Sequence, residues 1–153
     1  MIHGKIVTER KEWSEALDVL EELFVKELQY QKEDVLGAYE NVAAYAIVYE
    51  GIKESQAVAA GRLDYEGENG KLQYIGVYKE YRRKGYGDFI VRLLLNKAFT
   101  SGIKEVDCMV PVDVAPFFER VGFRKTEWDK NINGIKCNKL IINSENFIYP
   151  CRK

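Results

Sequence analysis

The chain has 153 residues, 46% of them hydrophobic, and a formal net charge of −1 from interleaved acidic and basic side chains. That is enough chain for one domain, 1–153, with a real core, and the near-zero charge excludes a field that draws nucleic acid or an anionic membrane. Three cysteines without CxxC spacing and one histidine, His3, exclude a disulfide framework, a His-based metal site and Ser-His-Asp chemistry.

Met1 to Glu12 alternates polar and apolar residues, unlike a signal peptide, and no stretch is long enough to span a bilayer. The expected setting is a reducing cytoplasm with free thiols.

Ile2, Ile6 and Val7 predict a first strand. Trp13, Leu17, Leu20, Leu23, Phe24 and Leu28 recur at helical spacing, predicting one or two helices from Lys11 to about Gln29. Lys32 to Asp34 reads as the polar end of that region, followed by Gly37. Small and β-branched residues from Val42 to Tyr49 predict a buried strand. Gln56 to Tyr65 and Leu72 to Tyr78 read as partners joined through Glu66-Gly-Glu-Asn-Gly70. Gly76 suggests a bulge in the second of these.

A helix follows from Gly85, with Phe89, Ile90, Val91, Leu93, Leu94, Leu95, Ala98 and Phe99 too apolar for a one-sided surface helix and suited to packing on a sheet. Ser101-Gly102 stops it. Val106 to Val110 is a strand, and Val114 to Arg120 a short helix for which Asp113 is the expected N-cap. Phe123 to Trp128 and Lys139 to Ile142 form a last hairpin through Asn133-Gly134. The fold class is α+β, with helices flanking a mixed sheet.

Arg82-Arg-Lys-Gly-Tyr-Gly87 lies between a strand and an apolar helix. Such a turn presents unpaired backbone N–H groups at the positive end of the helix dipole, where a phosphate is held. Gly85 and Gly87 keep the backbone bare, because a Cβ would block approach or forbid the turn. Arg82, Arg83 and Lys84 add positive charge. The alternative is a charged surface turn capping a core helix. The run has neither the GKS/T ending of nucleoside-triphosphate loops nor a GxGxxG fingerprint, since Asp88 and Phe89 follow Gly87.

Arg82-x-x-Gly85-x-Gly87 after a strand resembles the Gln/Arg-x-x-Gly-x-Gly/Ala coenzyme A loop of the GNAT superfamily of acyltransferases. Ala115-Pro-Phe-Phe-Glu-Arg-Val-Gly-Phe123 is similar to a second landmark of that family, Ala-x-x-Phe-Tyr-Glu-Lys-Leu-Gly-Phe. The resemblance covers the whole chain in element order and is motif-grade only in these two segments. It implies a central, mostly antiparallel sheet with splayed strands, and acetyl-CoA as co-substrate. The implied donor-binding residues are Val77, Tyr78, Arg82, Arg83, Lys84, Gly85, Tyr86, Gly87, Asp88 and Phe118. At Val77 and Tyr78 the family's strand end pairs its exposed main chain with the pantetheine arm. The implied acceptor is a primary amine of a small molecule or peptide, and Phe24, Tyr30 and Tyr39 stand where the family's first helices line its pocket.

The chain departs from the family at Phe118. Many GNAT enzymes have a tyrosine there that protonates the departing thiolate. Tyr74, Tyr78 and Tyr86 are candidate substitutes; solvent is another, since a thiol of pKa ~8.5 already leaves well. A non-catalytic acyl-CoA-binding module is the alternative function. Candidate general bases are Asp64, Glu66 and Asp113. Arg62 reads either as a group for a substrate carboxylate or as a surface residue. Cys108 in Val106-Asp-Cys-Met-Val110 reads as buried packing and not as a nucleophile. No metal, nucleic acid or membrane is expected. A homodimer through the C-terminal strands or the tail Asn143 to Lys153 stands beside the alternative that the tail closes the chain's own sheet.

Overall fold

A computed structural model describes residues 2–37, 40–51 and 56–147. Among the described residues seven strands form one sheet: β1 (Ile2–Val7), β2 (Val42–Glu50), β3 (Gln56–Glu66), β4 (Asn69–Val77), β5 (Glu105–Pro111), β6 (Arg124–Ile132) and β7 (Ile135–Asn143), in the order β1-β2-β3-β4-β5-β7-β6. Every pairing is antiparallel except β4 with β5. This is the mixed α+β sheet expected.

Strand β2 shows why both sheet faces are covered. Its side chains alternate, as a period of two requires. Ala44, Ala46 and Val48 join the core under α3 (Tyr86–Thr100), with Ile90, Val91, Leu94, Leu95 and Ala98. Tyr45, Ile47 and Tyr49 join a second core under the N-terminal helices, with Trp13, Val19, Leu20 and Leu23. A strand buried on both sides reads as a continuous apolar run, which is how Val42 to Tyr49 looks in sequence.

The N-terminal helical region is a 3₁₀ turn (Arg10–Glu12), α1 (Ser14–Leu20) and a π-helical stretch (Glu21–Glu27). Lys32 to Asp34 does not end it in polar coil. These residues open a further helix, α2 (Lys32–Leu36), whose Val35 is fully buried. Its first turn carries Glu33 and Asp34, favourable at the positive end of the dipole. The tight turn at Asn133-Gly134 has φ of 52° and 81°, as a two-residue I′ hairpin turn demands.

Two local expectations are corrected. The bulge in β4 is centred on Tyr74 and not on Gly76. Ala60 pairs Gly76 and Arg62 pairs Gln73, so two residues of β4 face Gly61, and Tyr74 takes φ 55°. Asp113 does not cap the short helix α4 (Ala115–Glu119), whose N-cap is Val114 without a side-chain hydrogen bond. In the tail, Phe147 is buried and packs against Phe99, with ring centroids 5.7 Å apart. Tyr39 and residues 148–153 lie outside the described residues.

Candidate functional site

Strands β4 and β5 touch only at one end. Gly70 pairs Val106 and Lys71 pairs Asp107, after which β5 continues on β7 alone and β4 on β3 alone as far as Val77. The gap between them opens into a cleft of about 280 Å³ lined by Leu23, Phe24, Ile75, Val77, Phe117 and Phe118 among others. Main-chain groups of β4 face this gap. The Tyr78 N–H donates to the Val58 carbonyl on β3 at 2.9 Å. In a planar trans peptide the Val77 carbonyl therefore points the opposite way, toward the open side. The splay expected at Val77 and Tyr78 is present.

The cleft continues into a second hollow of about 390 Å³ beneath the turn, lined by Tyr81, Arg83, Gly85, Asp88 and Arg120, with Val77, Arg82, Gly87 and Phe117 shared between the two. The backbone folds here through a 3₁₀ turn, Lys79–Tyr81, then Arg83 at φ 66° and Gly85 at φ 84°. The first helical bond of α3 runs from Phe89 N–H to the Gly85 carbonyl, 3.1 Å, so the Tyr86, Gly87 and Asp88 amides belong to the helix's open first turn. Gly85 is dictated by its left-handed φ, since a Cβ there would meet nothing within 4 Å. Gly87 is different. A Cβ on it would stand 3.5 Å from Phe117 Cζ, ordinary contact, so the protein itself does not require glycine there. What Gly87 keeps bare is the cleft it lines.

Arg82, Lys84, Tyr86 and Asp88 of the turn are held by the protein. Arg82 Nε donates to the Val77 carbonyl at 2.9 Å, and its Nη2 reaches Glu27 Oε1 at 3.2 Å. Lys84 Nζ lies 3.4 Å from Glu50 Oε2, and the Tyr86 hydroxyl donates to the same oxygen. Asp88 accepts from Arg92 at 2.8 Å. Glu50, at the end of β2, was not a sequence candidate. The Tyr86 hydrogen bond first, and the Lys84 charge after it, hold its carboxyl below the usual carboxylate range. The same bond pushes the Tyr86 hydroxyl up to about 12. Glu50 thus anchors the turn to the sheet, leaving its bare backbone toward the hollow.

Residues 8–123, three quarters of the chain, match the Acetyltransferase (GNAT) family. The protein belongs to the GNAT acetyltransferases. A Bacillus subtilis relative, the uncharacterized N-acetyltransferase YjcF, is 31% identical over 119 residues, which cover 78% of this chain and 83% of that one. An acyl-CoA N-acyltransferase of Pseudomonas aeruginosa shares the fold at TM-score 0.75 and 16% identity, over 92% of this chain and 99% of its own. The N-acetylglutamate synthase of Neisseria gonorrhoeae, complexed with coenzyme A and N-acetyl-glutamate, superposes at TM-score 0.68 and 14% identity, over 92% of this chain and 35% of that one.

The candidate catalytic groups of this GNAT chain fall in different places. Asp64 and Arg62 are almost fully buried and bind one another, Nε to Oδ1, at 2.7 Å, while Gln73 Nε2 donates to Asp64 Oδ2 at 2.5 Å. Arg62 is therefore not a surface residue, and both Asp64 oxygens are already engaged. Glu66 pairs Asn69 at the far end of β4, eight residues from Val77 and roughly 25 Å away at strand rise. Its carboxylate lies 3.9 Å from Lys71.

Tyr74 sits in the bulge, its ring edge-on to Phe24 at 5.4 Å and to Tyr30 at 6.3 Å, and its hydroxyl donates to the Asp34 carbonyl at 3.2 Å. Burial pushes the hydroxyls of Tyr74 and Tyr78 up. Phe118 is buried, edge-on to Phe117 at 5.0 Å and to Phe123 at 5.4 Å, with one side on the cleft. Burial likewise pushes the Cys108 thiol up, the setting of an inert packing cysteine. Among the described residues no group of three or more His, Cys, Asp or Glu is placed to hold a metal, and no helix is long and apolar enough to cross a membrane.

Proposed function

We propose that this protein transfers an acyl group, acetyl by default, from acetyl-CoA to a primary amine of a small molecule or peptide. The observation that carries this reading is the continuity of the two hollows. One runs under a helix N-terminus with bare amides, the other between parted strands, and they share Val77, Arg82, Gly87 and Phe117. A diphosphate suits the first and a narrow, mostly extended arm the second.

In this reading the amides of Gly85 to Asp88 take the diphosphate, and the open edge of β4 at Val77 takes the arm's amides. The neutral amine attacks the thioester carbonyl directly. Its C–N bond forms as the C–S bond breaks, the amine loses a proton and the departing thiolate gains one. Positioning and backbone donors around the developing oxyanion supply much of the rate. With Asp64 tied to Arg62 and Gln73, water is the simplest carrier of the amine's proton. Membership of an acetyltransferase family favours turnover over a module that only binds acyl-CoA. A cytoplasmic setting fits the uncrosslinked Cys108 and Cys137.

The test is calorimetric titration with acetyl-CoA of the wild type and of Gly85→Trp, each checked for folding. Binding lost in the variant places the donor in this cleft and opens a screen of amines by thiol release. A folded wild type that binds no acetyl-CoA ends the reading.

A further inference from the structure

Arg82 does two things that bear on how the cleft fills. Its Nε occupies the Val77 carbonyl, the acceptor that faces the strand gap, and its Nη2 spans to Glu27 in the π-helical stretch. Glu27 precedes Leu28 and follows Leu23 and Phe24, which line the same cleft from the helical stretch that rests on β4 at Gly76. The chain Glu27, Arg82, Val77 therefore ties that helical stretch to the end of β4 at the junction of the two hollows, both of which Arg82 lines. A ligand running through both hollows has to pass this guanidinium.

The clasp is built to be exchanged. Its side chains are 46% and 42% exposed, and an ion pair in that setting contributes little. A phosphate ester offers Arg a charge-assisted, bidentate partner, which is stronger than one carboxylate oxygen. Arg82 also belongs to the turn under which the diphosphate would lie.

We propose that Glu27 is a positioning residue for the donor site, acting through Arg82: it holds the guanidinium at the junction of the two hollows, and the incoming diphosphate draws it away. That exchange opens the lane between the hollows and leaves the Val77 carbonyl to the arm's N–H. The proposal rests on the donor-site reading above. Glu27 competes with the ligand for Arg82, so removing its charge favours the ligand.

The test is a calorimetric cycle with coenzyme A on the wild type, Glu27→Gln, Arg82→Gln and the double variant, with a thermal melt of each. Glu27→Gln is expected to tighten binding, up to about fivefold, the range an exposed ion pair spans. Arg82→Gln is expected to weaken it, and Glu27→Gln to add nothing in that background. An unchanged or weakened affinity in Glu27→Gln overturns the clasp, as does an equal effect in both backgrounds. A wild type that binds no coenzyme A removes the donor site, and the clasp with it. Wild-type binding indifferent to Glu27 removes the clasp alone.

Discussion

Gly76 and Leu23 approach so closely that a Cβ on Gly76 would stand 2.8 Å from Leu23 Cδ1, with the Phe24 ring at 3.0 Å. The N-terminal helical wall thus rests on the backbone of β4 beside the Tyr74 bulge. Both neighbours are buried, at 3% and 9% exposure, and the space beside them is the cleft they line. Gly76→Ala is expected to cost about 1–3 kcal/mol, as overpacking does. It should also push the wall outward, weakening coenzyme A binding together with stability. Urea denaturation and calorimetry check both, and an unchanged denaturation midpoint counts against this contact.

Arg62 and Asp64 form a buried pair whose worth lies in its completeness. Removing one partner leaves a charge without compensation, at about 3–5 kcal/mol, whereas replacing both by apolar residues of similar size is often neutral. Arg62→Met should therefore be strongly destabilising, and Arg62→Met with Asp64→Leu should recover most of the loss. Denaturation of the single and double variants reads this directly. Equal destabilisation in the two would show that the pair does not act as a unit.

The order of elements was legible because local chemistry decides it: alternation in β2, an I′ turn at Asn133-Gly134, an apolar helix behind a glycine turn. The glycine turn was legible for the same reason, all its parts lying within Arg82 to Asp88. What escaped depends on partners distant in sequence. Glu50 gains its role from Tyr86, 36 residues away. Glu27 gains its own from Arg82, 55 residues away. Arg62 reads either as a substrate group or as a surface residue because nothing near it in sequence shows that β3 runs through the middle of the sheet. The bulge was misplaced by one general preference overriding another. Glycine is the usual resident of a left-handed bulge, yet Tyr74 takes that conformation, and Gly76 is needed instead for close approach.

The Tyr86–Glu50 bond makes stability depend on pH at both extremes. Tyr86 rises from an ordinary value of 10.0 to about 12 in the fold. A raised value means a contribution fully present below pH 10 and lost as the pH climbs toward 12. Glu50 is lowered from 4.5, so its contribution is present above that value and lost as the pH falls below it. Tyr86→Phe removes the bond. Its melting temperature should lie below that of the wild type at neutral pH, with the difference shrinking toward pH 12 and again below pH 4.5. A difference constant across that range would sink this assignment.

Phe118 is the remaining lever on chemistry. Its ring lies in the core but borders the cleft, so Phe118→Tyr adds a para hydroxyl at the position where many GNAT enzymes carry their acid tyrosine. A positioned general acid contributes about 10²–10⁴ when its proton is needed in the transition state. A thiol of pKa ~8.5 needs less help, so the expected gain in kcat is about tenfold or less. The cost is in folding, since a hydroxyl left without a partner is destabilising by about 1–3 kcal/mol, and the melting temperature should fall. The two effects separate cleanly. Thiol release with an accepted amine should rise and acquire an alkaline limb as the new phenol ionises, while donor affinity stays level. A folded Phe118→Tyr with the wild-type rate and pH profile would mean that thiolate protonation does not limit turnover, and that solvent serves this chain as its acid.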